Sequence, residues 1–154
     1  MAILGLMGCS PGARPVLGQV EFQRVIPPNQ AFPKDPAKTA EPHVLVPDWA
    51  GAKAFPLTPS PAFGSRDVKE AILRRGENGH YEIELVLTMA AATRFGTFTG
   101  ANQGAVIAIL VDRRVVTAFA VRGRNDAGRI KISGADDPVT QSWYRAIVGQ
   151  AGKG

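Results

Sequence analysis

Proline is the strongest constraint in this 154-residue sequence: eleven of its twelve prolines stand before residue 62, and only Pro138 follows. Residues 27–64 hold nine of them, with little hydrophobic periodicity. A proline ring fixes φ and removes a backbone donor, so such a stretch is denied a helix and lacks donors that a sheet ladder needs. It is expected to be an extended linker, or an excursion of polyproline character lying on the surface. Phe55, Leu57 and Phe63 are the residues in it that can pin it to a core.

Regular elements are legible on either side. Val16–Ile26 alternates, with Val20 and Phe22 on one face, and reads as a strand ended by Pro27-Pro28. Arg66–Arg75 is ambiguous, because helix formers dominate while Val68, Glu70 and Ile72 alternate. After the turn Gly76–Gly79, residues His80–Leu87 place Tyr81, Ile83, Leu85 and Leu87 on one face and Glu82 and Glu84 on the other. Thr88 is the expected N-cap of a helix through Phe98, with Ala91, Ala92, Phe95 and Phe98 as its apolar stripe. Ala105–Val111 is apolar enough for a strand buried on both faces; Asp112-Arg113-Arg114 turns it into a hairpin partner, Val115–Val121. Arg129–Ser133 is a short strand. Asp137 is the expected cap of a last helix opened by Pro138, with Val139, Trp143, Ala146 and Ile147 inward and Gly149 as its stop. This order predicts an α+β fold, a mainly antiparallel sheet with two helices packed on one face.

The chemistry-bearing residues are sparse. One cysteine makes no internal disulfide, and His43 and His80 stand far apart, so no metal site is expected. No serine sits in a nucleophile elbow. Glu82 and Glu84 are explained as a solvated sheet face. Gly96, Gly100 and Gly104 lack the Lys-Ser/Thr of a phosphate loop, and no cofactor is implied. The net charge is +5, with 13 basic and 9 acidic residues after position 64. The basic candidates are Arg122, Arg124 and Arg129 in one loop, with Arg113 and Arg114 nearby in sequence. No aromatic platform is interleaved with them, which disfavours nucleic acid. Anionic lipid headgroups are the alternative contact, worth about 1 kcal/mol per basic residue at such a surface. No stretch reaches the roughly 18 consecutive apolar residues of a membrane-spanning helix.

Two resemblances go further than composition. Leu6-Met7-Gly8-Cys9 resembles the lipobox of bacterial lipoproteins, which implies lipidation of Cys9. Residues 1–15 would then be a truncated lipoprotein-type signal and tether; only eight residues precede Cys9, and the usual basic start is missing. Residues 65–149 resemble the head part of the first large extracytoplasmic domain of SecD, a subunit of the bacterial protein-export machinery. The likeness rests on Asp67-Val68-Lys69-Glu70-Ala71, Tyr81–Leu87, Thr93-Arg94-Phe95 and Thr99-Gly100-Ala101-Asn102. It continues through Ala108–Asp112, Val115-Val116-Thr117-Ala118 and Ile132-Ser133-Gly134. Val20–Val25 is similar to a Glu-Phe-Arg stretch upstream of this region in SecD proteins.

The membrane spans and membrane-embedded acidic residue of SecD have no counterpart in these 154 residues, which by themselves couple no proton gradient. The resemblance implies one domain over residues 16–154, with 27–64 as an excursion within it. It also implies a non-catalytic role outside the membrane: binding polypeptide or envelope protein, accessory to export, from a lipid anchor on the periplasmic or exterior side. The exposed edge of the sheet is the expected site, by β-augmentation. The rival readings are a small enzyme with a site no motif reveals, and a basic module for nucleic acid or anionic lipid.

Overall fold

The alternation of residues 80–87 becomes a strand whose neighbours come from three distant parts of the chain. A computed structural model describes residues 12–149, so Cys9 lies outside the described residues. The elements are β1 (Ala13–Arg14), β2 (Val20–Val25), α1 (Pro28–Ala31), β3 (Val44–Pro47), β4 (Ala54–Leu57), β5 (Val68–Arg75) and β6 (Tyr81–Leu87). They continue as α2 (Met89–Ala101), β7 (Val106–Val111), β8 (Arg114–Ala120), β9 (Arg129–Ile132) and α3 (Asp137–Ile147). The ambiguous segment 66–75 is thus a strand, entered by a 3-10 turn over Ser65–Asp67.

The α+β class and the antiparallel pairing stand, but the strands form two sheets rather than one. Their orders are β1-β5-β6-β9 and β3-β4-β2-β7-β8. The reason lies in β7, which is apolar on both faces and so needs cover on both. It pairs with β2 over six residues, Val20 opposite Val111 through Val25 opposite Val106. Ile107, Ile109 and Val111 then enter the main core, while Ala108 and Leu110 enter a smaller one with Val46, Leu57 and Val115. α3 packs on β5 and β6, and α2 on β6. The main core gathers both helices and the inner faces of both sheets. Four phenylalanines join these layers: Phe22 and Phe63 meet at 6.0 Å between ring centroids, Phe22 and Phe95 at 5.9 Å, Phe63 and Phe95 at 5.3 Å, and Phe63 and Phe98 at 5.7 Å.

The proline-rich segment is built into the second sheet. β3 and β4 each carry a proline, Pro47 and Pro56, and Leu57 is fully buried. Pro56 lacks a donor, yet its carbonyl accepts from Ile26 N at 2.8 Å, so only half of its ladder capacity is lost. Pro28 opens the single helical turn α1, where a missing N–H costs nothing. The turn α1 and the β3–β4 ladder correct the expectation that the prolines deny residues 27–64 both, while Phe55–Leu57 does belong to the sheet and the core, as the sequence suggests.

Two local expectations are refined. Thr88 caps α2 by accepting from Ala91 N at 3.1 Å, as its position predicts. In α3 the cap is Asp136, which accepts from Val139 N at 2.9 Å, one residue before the expected Asp137. Asp137 is drawn instead to the start of β6, where it accepts from Tyr81 N at 2.9 Å. The β7–β8 turn holds Asp112 at φ 51° and Arg113 at φ 64°, the positive pair of a two-residue hairpin loop. The Tyr144 hydroxyl donates to the Gly12 carbonyl and so ties α3 to the entry of β1. Burial pushes its phenol above the usual 10.0, with the charge of Arg14 acting in the opposite direction.

Phe95→Ala removes the fully buried ring that packs on Phe22 of β2 and on Phe63, and is expected to destabilise the fold by about 3–5 kcal/mol. Met89→Ala, at a residue 90% exposed, is expected to change stability by less than about 0.5 kcal/mol. Urea unfolding followed by tryptophan fluorescence distinguishes the two, and equal losses would contradict this core.

Candidate functional site

Backbone N–H and C=O groups at a sheet edge need a partner or a cover, so the edges are where capacity for binding remains. In the five-stranded sheet the two edges, β3 and β8, meet at one point. Asp48, just after β3, bridges in parallel to Val115 of β8, and Trp49 N donates to the Val115 carbonyl at 2.9 Å. Arg114 closes this seam, its guanidinium 3.9 Å from the Trp49 ring centroid and donating to the Trp49 carbonyl at 3.2 Å. All five strands then contribute to the enclosed smaller core. In the four-stranded sheet, β1 covers β5 at Ala71 and Ile72. Among the described residues β9 pairs with β6 on one side and with no strand on the other; the far side of β1, and β8 beyond the Val115 bridge, likewise have no strand beside them.

The register decides which groups of β9 face out. Leu87 N donates to the Gly128 carbonyl at 2.8 Å, and the same register continues as Val86–Arg129, Leu85–Ile130, Glu84–Lys131 and Ile83–Ile132. Antiparallel pairs alternate between bonded and non-bonded. Ile130 and Ile132 therefore spend their backbone groups on β6, and their side chains are in the core. Arg129 and Lys131 are left with one N–H and one C=O each directed away from the sheet.

The outer face beside this edge is charged. Arg74 of β5 lies opposite Glu82 of β6, and Glu84 of β6 lies opposite Lys131 of β9. Glu84 is only 5% exposed, which corrects the expectation of a solvated carboxylate: Arg74 covers it from one side and Arg129 from the other, at 2.9 Å. Lys131 Nζ is 4.0 Å from Glu82. Where β9 ends, a cleft of about 200 Å3 is lined by His80, Tyr81, Ser133, Gly134, Asp136 and Asp137. Its carboxylates already have structural tasks, Asp136 as a cap and Asp137 on Tyr81 N, with His80 Nδ1 at 3.5 Å from Asp137. Among the described residues no three His, Cys, Asp or Glu side chains are grouped to hold a metal. His43 sits elsewhere, edge-on to Phe32 at 5.0 Å.

The five arginines singled out by sequence do not form one patch. Arg113 and Arg114 stand at the start of β8 and Arg122 and Arg124 beyond its end, and seven strand residues span about 20 Å. Arg113 is held by Glu21 at 3.0 and 3.2 Å, and Arg129 by Glu84. Arg124 Nε donates to both oxygens of Asp126, at 2.9 and 2.8 Å, and this bond raises the pKa of the guanidinium above its ordinary value. Arg122 is exposed and has no ion pair among the described residues.

Sequence reasoning missed how the loop before β9 is seated. Asp126 and Arg124 lie over Gly96 and Gly100 of α2, where a Cβ on Gly96 would stand 2.0 Å from Asp126 Oδ1. Asn125 N also donates to buried Thr99 Oγ1 at 2.8 Å. The signal was the glycine pair four residues apart, a notch on one helix face.

A family model described as SecDF, P1 head subdomain, matches residues 43–142. The chain belongs to that family. The match begins inside the proline-rich segment, upstream of the expected start at residue 65, in agreement with the sheet that β3 and β4 help to build. The protein translocase subunit SecD of Aquifex aeolicus (strain VF5) is 32% identical over 87 residues, which are 56% of this chain and 17% of that protein. This chain thus spans about a sixth of the length of that relative. A solved structure of SecDF, described as a membrane component that enhances protein export, aligns at a TM-score of 0.60 with 21% identity. That alignment covers 89% of this chain and 64% of the other. SecDF in its super-membrane-facing form aligns at 0.61 with 22% identity, over 89% of this chain and 19% of the other. At such identities the likeness is one of fold.

The Arg74–Glu84–Arg129 group makes an asymmetric prediction. Removing both arginines with Arg74→Gln/Arg129→Gln strands a buried carboxylate and is expected to cost about 3 kcal/mol or more. Glu84→Gln frees two half-exposed arginines to turn to water and is expected to cost about 1 kcal/mol. Chemical unfolding of the two variants checks the order; the reverse order would contradict the burial of Glu84.

Proposed function

We propose that this chain is a non-catalytic, extracytoplasmic domain that captures extended polypeptide along β9 as an accessory to protein export. The observation that carries this reading is the outward pair of N–H and C=O groups on Arg129 and Lys131, an edge seated against the core through Ile130 and Ile132 and flanked by two exposed cations. Main-chain pairing recognises any extended segment, whatever its side chains, which suits a client set of many sequences. Membership in the SecDF head family supports the same direction, since the relatives are a translocase subunit and a component that enhances export.

In this reading the tether ends before Gly12 and not at residue 15 as expected, because β1 is paired into the domain it carries. Lipid on Cys9 holds the protein at the membrane, two or more acyl chains being needed for stable anchoring. Metabolic palmitate labelling is expected to mark the wild type and not Cys9→Ser, with release of the variant from the membrane fraction. An unlabelled, unanchored wild type would end the tether.

The edge has its own test. Lys131→Pro deletes an outward N–H and leaves the β6 ladder intact, so the variant is expected to fold and to lose at least about tenfold in affinity for a fluorescently labelled unfolded polypeptide. Ile130→Pro deletes an inward N–H and is expected to lose about 1–3 kcal/mol of stability instead. Wild-type affinity in a folded Lys131→Pro protein would remove β9 from the account.

A further inference from the structure

On the outer face of the four-stranded sheet β5 presents Glu70, Ile72 and Arg74, β6 presents Glu82, Glu84 and Val86, and β9 presents Arg129 and Lys131. The β9 row is thus uniformly cationic, and it has carboxylates on the β6 side only. Both side chains stay reachable from the open side, at 54% and 60% exposure. Glu84, the carboxylate closest to Arg129, is shared with Arg74 and so does not neutralise the row.

We infer that β9 selects strands whose outward residues are acidic, and that the preferred client is an extended segment alternating acidic with apolar residues. This rests on the β9 capture proposed above. Residues pairing with Arg129 and Lys131 would project on the outer face beside these two cations, and the residues between them would project on the side of Ile130 and Ile132. A directly opposed pair of unlike charges is favourable and a like pair unfavourable, by amounts that for two pairs together correspond to about 2- to 30-fold in affinity. The same row disfavours a second copy of this chain as occupant, because two β9 edges side by side set Arg and Lys against Arg and Lys.

Three ten-residue peptides that alternate valine with glutamate, glutamine or lysine test this by fluorescence anisotropy at low and high salt. The glutamate peptide is expected to bind about 2- to 30-fold tighter than the glutamine peptide, and the lysine peptide weakest. The spread should shrink in 0.5 M salt, where charges are screened over about 4–5 Å. Lys131→Gln, which removes one of the two cations and leaves the cover of Glu84 in place, should reduce the glutamate preference by about 1.4- to 5-fold. Equal binding of all three peptides to the wild type would overturn charge selection while leaving edge capture standing. Failure of all three would remove edge capture as well. A wild-type dimer in sedimentation that Lys131→Pro abolishes would name a second copy as the occupant and overturn the inference.

Discussion

The obligation to pair every buried or edge backbone group shapes this molecule more than any single side chain. The five-stranded sheet meets it by curling until β3 and β8 touch, through one parallel bridge at Asp48 and Val115 and the Arg114–Trp49 stack over it. Without that seam the sheet would expose two further edges. The prolines fit this solution: Pro47 and Pro56 shorten the ladders that β3 and β4 can offer, so closure relies on a point contact and an aromatic cover in place of a long pairing. Among the described residues β9, too, keeps one side with no strand beside it.

β9 is held still by the core behind it. The phenylalanine cluster joins β2, α2 and the segment after β4. The loop leading into β9 rests on the Gly96–Gly100 notch and on Thr99. The bond from Leu87 N to Gly128 then fixes the register at the entrance of the strand. A slip by one residue would turn Ile130 and Ile132 out of the core and reverse which backbone groups face solvent, so the apolar burial enforces the polarity of the edge.

Features that depend on near neighbours in the chain were readable in the sequence. Tyr81–Leu87, the Thr88 cap and the Asp112–Arg113 turn all follow from residues within one or two turns of each other. Features that depend on pairing partners were not. Glu82 and Glu84 are equivalent in the alternation, and only arginines from β5 and β9 bury the second. The division into two sheets follows from β2 choosing β7, which are some eighty residues apart. A proline's effect on a ladder depends on the side its missing N–H would face, which no local pattern reveals. The arginines of the basic loop were found by type, but their partners Glu21, Glu84 and Asp126 come from tertiary contact or a folded loop. The sequence pointed to a sheet edge without saying which; that β9 is an edge strand needed the topology.

The most direct measurement is residue-resolved amide exchange of the wild-type protein, alone and with an unfolded polypeptide in excess. The account predicts that Ile130 and Ile132 are protected in the free protein, that Arg129 and Lys131 exchange quickly, and that polypeptide slows these two before any others. Protection arising instead on β3 or β8, or fast exchange at Ile130 and Ile132 beside slow exchange at Arg129 and Lys131, would contradict it.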